Sequence, residues 1–163
     1  MAQITEEDKR NVKVIWDKVC VEATGQAILI RLFVDFPKTK NYFKKLKDVS
    51  TLEEMQTSPV IKAHGKRVVI AFNQIVENID NWSEVCNIVA RLVKRHQDVH
   101  KVEVYNFEIL FQVIVNVLAD ALGSVFTPDI KTSWQNLFSV LYVYIASCYT
   151  AAPLVPDASS ITV

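Results

Sequence analysis

The 163-residue chain carries 18 Lys+Arg and 18 Asp+Glu. With no net charge, no global field draws it to nucleic acid or to an anionic membrane surface. Half of its residues are apolar and 22% are charged, too much core material for a disordered chain and too much polarity for a membrane bundle, at a length that suits one domain.

At the N-terminus, Met1 to Thr5 runs directly into Glu6, Glu7, Asp8, Lys9 and Arg10. This is not the apolar run of a secretory signal, and a cytoplasmic protein is expected. Thr5 with Asp8 offers a cap for a first helix over roughly 5–20, and a second helix follows over about 22–36. Pro37 then starts a short helical corner. Thr51 with Glu54 reads as a capping box for a helix at about 52–57. Ser58-Pro59 and Thr127-Pro128 each set a cap residue before an initiating proline, for helices over roughly 59–79 and 128–150. Two more helices are expected at about 83–98 and 102–121, so the chain reads as all-α.

No charged residue occurs between Lys131 and Asp157, a stretch that takes in most of the last helix and is long enough to consider as a membrane span. Ser133, Gln135, Asn136, Ser139, Ser147 and Thr150 interrupt it, and Pro153 would stop it, so a buried core helix is expected and no membrane span. The domain is expected over 1–150, with 151–163, which contain Pro153, Pro156, Ser159 and Ser160, as a disordered tail. Cys20, Cys86 and Cys148 are far apart, odd in number and without a Cys-x-x-Cys spacing. They suggest neither a disulfide framework nor a zinc knuckle and fit a reducing setting.

In the helix after Pro59 the apolar stripe is Ile61, Val68, Phe72 and Ile75, with His64 on it; after Ser83 it is Val85, Val89, Leu92 and Val99, with His96 on it. A single histidine on such a stripe is usually a core residue. Two on separate helices are suited to bracket a metal cofactor, because neutral imidazole is a common metal ligand. His96 and His100 also have a spacing that zinc could use, but the intervening residues are not those of a zincin and no third ligand stands out. Arg67, Arg91, Lys94, Arg95 and Lys101 flank the histidines, where they either pair with acidic groups of a cofactor or form solvated faces. Hydrolase and nucleotide-binding signatures are missing from the sequence.

The run Gly25-Gln26-Ala27-Ile28-Leu29-Ile30-Arg31-Leu32-Phe33, then Phe36-Pro37 and Tyr42-Phe43, resembles the second helix and following corner of vertebrate globins. Trp16 resembles the tryptophan of their first helix. Lys62-Ala63-His64-Gly65-Lys66-Arg67-Val68 and Leu92-Val93-Lys94-Arg95-His96 resemble the distal and proximal helices, and Tyr149 stands where globins keep a tyrosine. The likeness runs from about residue 5 to 150. Met55-Gln56-Thr57-Ser58-Pro59, Val76-Glu77-Asn78 and His100-Lys101-Val102-Glu103 resemble the cytoglobin and globin Y branch.

The resemblance implies a globin fold of seven to eight helices around a haem pocket, with haem b (iron protoporphyrin IX) as cofactor. It implies His96 as proximal iron ligand, and His64 as the distal residue that hydrogen-bonds bound gas or binds iron itself. It further implies Phe43 against the porphyrin, Leu29, Val68, Leu92, Val102 and Phe107 around it, and Arg67 and His100 near the propionates. Cytoglobins often carry a cysteine pair that closes a disulfide; Lys66 and Val21 stand at those positions here, with Cys20 only adjacent, so that disulfide is not expected.

The function implied is reversible binding of dioxygen, carbon monoxide and nitric oxide for storage, carriage or sensing. A redox role at the same haem, as nitric oxide dioxygenase, nitrite reductase or weak peroxidase, would need a reductase partner. A third reading is a helical interaction module without cofactor, its uncharged last helix serving as a homodimer face.

Overall fold

A computed structural model of the chain describes residues 3–98 and 101–151. Among these, seven α-helices follow one another without strands: α1 Glu6–Trp16, α2 Val21–Asp35, α3 Leu52–Thr57, α4 Pro59–Glu77, α5 Trp82–Asp98, α6 Tyr105–Leu122 and α7 Pro128–Ala151. Short 3-10 turns at Pro37–Tyr42 and Lys44–Leu46 make the corner between α2 and α3.

The helix starts are set by the side chains the sequence offers. Thr5 with Asp8 and Thr51 with Glu54 both form complete capping boxes. Ser58 Oγ accepts from the Ile61 amide, and Thr127 Oγ1 from the Ile130 amide, each at 3.3 Å. Each cap satisfies an amide that the first helical turn would otherwise leave without a partner.

Two boundaries depart from the sequence reading. α1 stops at Trp16 rather than near 20, where the Lys18 and Val19 amides turn back to the Ile15 and Trp16 carbonyls. α6 starts at Tyr105 rather than near 102. The Val102 amide is held by the His96 carbonyl and Lys101 takes a left-handed φ of 56°, which together make a turn instead of a first helical turn.

α4 crosses α2 where Gly25 meets Gly65. A Cβ on Gly65 would stand 2.5 Å from the carbonyl carbon of Gly25, so the backbones are in direct contact and only glycine fits. α1 packs on α7, and α7 also packs on α5 and α6. The core runs through these contacts: Ile15 on α1, Ile28 on α2, Val69 on α4, Val85 on α5, Val113 on α6, and Trp134, Leu137 and Leu141 on α7 are all nearly inaccessible.

α7, free of charge beyond Lys131, is thus a core helix, as its polar interruptions suggested. By length and composition alone, one segment among the described residues, Tyr105–Val125, is apolar enough to cross a membrane. That segment packs on α2 and α7, and its Asp120 pairs with Arg31 of α2 at 2.7 Å. The tail from residue 152 lies outside the described residues.

Candidate functional site

The α2–α4 crossing fixes the residue beside it. His64 immediately precedes Gly65, so the close approach of the two backbones sets where its imidazole emerges. The Phe43 ring meets that imidazole edge to face, with centroids 4.8 Å apart at 83°. Phe33 of α2, buried, meets Phe43 in the same manner at 5.2 Å and holds it against α2. A hydrogen bond from Asn106 Nδ2 to the Tyr42 hydroxyl, 3.2 Å, ties the corner that carries Phe43 to the start of α6.

His96 is one turn from the end of α5. Its Nδ1 lies 2.7 Å from the Leu92 carbonyl. A carbonyl can only accept, so Nδ1 carries a proton, and in the neutral ring the lone pair is then on Nε2. This is the tautomer a metal ligand through Nε2 requires, with its ring orientation fixed by the second nitrogen.

The surroundings of His96 are held by α6 and α7. Phe107 packs edge to face on its ring at 5.4 Å, and Tyr149 on Phe107 at 6.1 Å. The Tyr149 hydroxyl donates to the Val102 carbonyl at 2.6 Å, and the Val102 amide donates to the His96 carbonyl at 3.0 Å. Burial, and secondarily Tyr42, pushes the Tyr149 phenol above its ordinary value, so it remains a protonated donor at neutral pH.

The expected lining residues fall into two groups. Leu29 is buried in the core, only 1% exposed. Phe43, Val68, Leu92, Val102 and Phe107 are only half-buried, while Val69 and Val93, next to Val68 and Leu92 in sequence, are closed in the core. Val68 is one turn from His64 on α4, and Leu92 one turn from His96 on α5. An apolar rim of this kind around two half-buried imidazoles fits a broad apolar disc with a central metal. The donor set, one imidazole with its tautomer fixed and a second from another helix, fits as well.

The basic residues do not join this group as a set. Arg67, Lys94, Arg95 and Lys101 are exposed, and Arg91 reaches Glu84 on its own helix at 3.9 Å. His100 and Val99 lie outside the described residues. Among the described residues no group of three or more His, Cys, Asp or Glu is gathered as a metal site would need. Two surface grooves are elsewhere: one of about 520 Å³ between α6 and α7, and one of about 630 Å³ lined by residues such as Cys20, Gln26, Lys62 and Lys66; neither is lined by His64 or His96.

Sequence reasoning gave no site role to Phe33, Tyr42, Asn106 or the Leu92 carbonyl. The last had a signal, because a side chain four residues after a helical carbonyl can reach back to it. The others act through contacts between distant segments.

A globin family profile matches residues 26–145, most of the chain. The chain belongs to the globin family. Within it the chain is similar to the cytoglobins. It is 37% identical to cytoglobin-2 of Danio rerio over 159 residues, 96% of this chain and 89% of that protein. It is 36% identical to cytoglobin-1 of Oryzias latipes over 149 residues, 90% of this chain and 84% of that protein. To cytoglobin-2 of Oryzias latipes it is 35% identical over 129 residues, 79% of this chain and 72% of that protein.

Proposed function

We propose that this globin binds haem b and, through its iron, binds dioxygen, carbon monoxide and nitric oxide reversibly. The observation that carries the reading is the hydrogen bond from His96 Nδ1 to the Leu92 carbonyl, which readies Nε2 for a metal. Haem supplies an iron that binds diatomic gases and can exchange electrons.

The chain's own residues then divide the work. His96 holds the iron through Nε2. Phe43, Val68, Leu92, Val102 and Phe107 cover the porphyrin faces, at about 25 cal/mol for each Å² of apolar surface removed from water. Leu29 would close the pocket behind them, and Arg67, exposed on α4, would offer its charge to the propionates, a role the resemblance implies for His100 too. His64 donates a hydrogen bond to a polar diatomic ligand, which favours dioxygen over carbon monoxide. Phe43, edge-on to His64, limits how far that imidazole swings.

A second reading, favoured by the similarity to cytoglobins, is redox turnover of nitric oxide at the same site with a cellular reductase. The cytoplasm suits both readings, since Cys20, Cys86 and Cys148 are all free thiols.

The test is haemin reconstitution followed by stopped-flow dioxygen release from the ferrous protein. A Soret band is expected on reconstitution, and His64→Leu should speed dioxygen release at least tenfold. No Soret band would remove the haem reading. An unchanged release rate would remove the donor role of His64. Sustained nitric oxide consumption with a reducing system supports the second reading, and ferric protein that is reduced only over hours contradicts it.

A further inference from the structure

The segments that carry the His64 surroundings and those that hold His96 meet at one amide. Asn106 stands in the first turn of α6, and its Nδ2 carries two hydrogens. That nitrogen donates to the Glu103 carbonyl at 3.0 Å and to the Tyr42 hydroxyl oxygen at 3.2 Å. Glu103 belongs to the turn after α5, which the Val102 amide fastens to the His96 carbonyl at 3.0 Å. Tyr42 ends the 3-10 turn Pro37–Tyr42, and the next residue is Phe43, whose ring meets the His64 imidazole.

The hydrogen bonds of this corner are otherwise local. Its backbone bonds run from Thr39 to Phe36, from Phe43 to Lys40 and from Leu46 to Phe43, the short pattern whose geometry is poorer than that of an α-helix. The Thr39 hydroxyl and the Lys40 ammonium donate to the Phe36 and Val49 carbonyls, close by in the chain. Among the described residues, the Asn106–Tyr42 bond is the one side-chain hydrogen bond that reaches from residues 37–46 to a helix.

Phe43 passes the position of the corner on to His64. Its ring stands edge to face with two neighbours, Phe33 at 5.2 Å and 72° and His64 at 4.8 Å and 83°. Phe33 is closed in the core of α2, so a shift of Phe43 is taken up by the half-buried imidazole.

We propose that Asn106 is a positioning residue for His64: its amide straps the turn that follows the His96 helix to the Tyr42–Phe43 corner, and so holds the distal imidazole within hydrogen-bonding reach of a diatomic ligand. The role rests on the gas-binding reading above, the strap on the two bonds alone. One side chain then keeps the two sides of the pocket in register. Without it the corner keeps its packing on α2, but Tyr42 is no longer tied to the turn after α5. Phe43 moves more freely, the imidazole follows, and its N–H is aimed at the ligand for a smaller fraction of the time.

The test uses the full-length, haem-loaded protein with Asn106→Leu, which keeps the volume without the donors, with Tyr42→Phe, which removes the acceptor, and with both. The C–O stretching frequency of the carbon monoxide complex reads the field of the distal N–H, and stopped-flow absorbance reads dioxygen release. Each single variant should move the stretch in the direction that His64→Leu moves it, by a smaller amount, and should speed dioxygen release about threefold, the scale of one net hydrogen bond. The double variant should match the faster single one, because both substitutions cut the same bond. In nuclear magnetic resonance, cross-relaxation between the Phe43 and His64 rings should weaken in all three.

Variants that melt lower but keep the parent's stretch and release rate would overturn the proposal, as would single effects that multiply in the double variant. Tyr42→Phe decides it alone if Asn106→Leu fails to fold. A missing Soret band, or a His64→Leu protein with the parent's stretch, would remove the gas-binding reading and the role with it. Cross-relaxation needs no haem, so rings that stay in register without the Asn106 amide would sink the strap whatever becomes of that reading.

Discussion

The Tyr149 hydroxyl donates to the Val102 carbonyl at 2.6 Å, so the end of α7 holds the turn that follows His96. Tyr149→Phe removes the donor and leaves a half-buried carbonyl without it. The expected loss is about 1 kcal/mol of stability, since a net hydrogen bond is worth that much. Urea unfolding checks it, and a variant as stable as the parent would mean the contact contributes nothing net.

Gly65→Ala places a methyl group 2.5 Å from the Gly25 carbonyl oxygen. Both sides of that contact are backbone, so α2 and α4 must move apart. A loss of about 3 kcal/mol is expected, at the upper end of ordinary overpacking. Because His64 is the preceding residue, its position should shift too, read as a change in the dioxygen release rate. Equilibrium unfolding and stopped-flow absorbance measure the two effects separately.

Asp8, in the first turn of α1, joins that helix to α7. Its carboxylate accepts from Ser133 Oγ at 2.8 Å, from the Thr5 amide at 3.2 Å and from Asn136 Nδ2 at 3.4 Å. Burial alone would raise this carboxyl, but the hydrogen bonds from Ser133, Thr5 and Asn136 together bring it below its ordinary 3.8. A carboxyl lowered in the folded state stabilises the fold above its unfolded value, and the contribution is lost as pH falls through the lowered one. Ser133→Ala should therefore cost about 1.5 kcal/mol at neutral pH, as expected for a hydrogen bond to a charged group. That cost should shrink as the pH drops below 3.8. Denaturant unfolding at a series of pH values tests the sign; a cost that grows toward acid would reverse it.

The two buried tryptophans should respond differently to substitution by phenylalanine. Trp16 donates its Nε1 hydrogen to Asn73 Oδ1 at 2.8 Å, whereas the Trp134 Nε1 is buried with no hydrogen-bond partner, among the rings of Trp16, Phe72 and Phe138. An unsatisfied buried donor costs about 1–3 kcal/mol, which Trp134→Phe recovers against the lost packing. Trp16→Phe recovers nothing and leaves Asn73 short of a donor. Thermal melts of the two variants should rank Trp134→Phe above Trp16→Phe, and the opposite order would count against the hydrogen-bond explanation.

The sequence exposed the parts of this fold that depend on local rules. The Ser58-Pro59 and Thr127-Pro128 starts hold to the residue, because a cap bond spans only three positions. Helical spacing put His64 and His96 on the apolar stripes of their helices, and both are half-buried. The end of α1 and the start of α6 were not, since turns that bend back onto the Ile15, Trp16 and His96 carbonyls replace helical bonds there. The Gly25–Gly65 contact and the Tyr149–Val102 bond join segments far apart in the chain. Only the three-dimensional packing brings their partners together.

The central claim is that His96 supplies the nitrogen that binds iron, and chemical rescue tests it most directly. His96→Gly removes the imidazole while leaving Phe107 and the Val102 turn in place. Reconstituted with haemin and reduced, this variant should bind haem at least tenfold more weakly and show an altered ferrous spectrum, and added free imidazole should restore the parent spectrum. A His96→Gly protein that holds haem as tightly as the parent, with the same spectrum before imidazole is added, would contradict it.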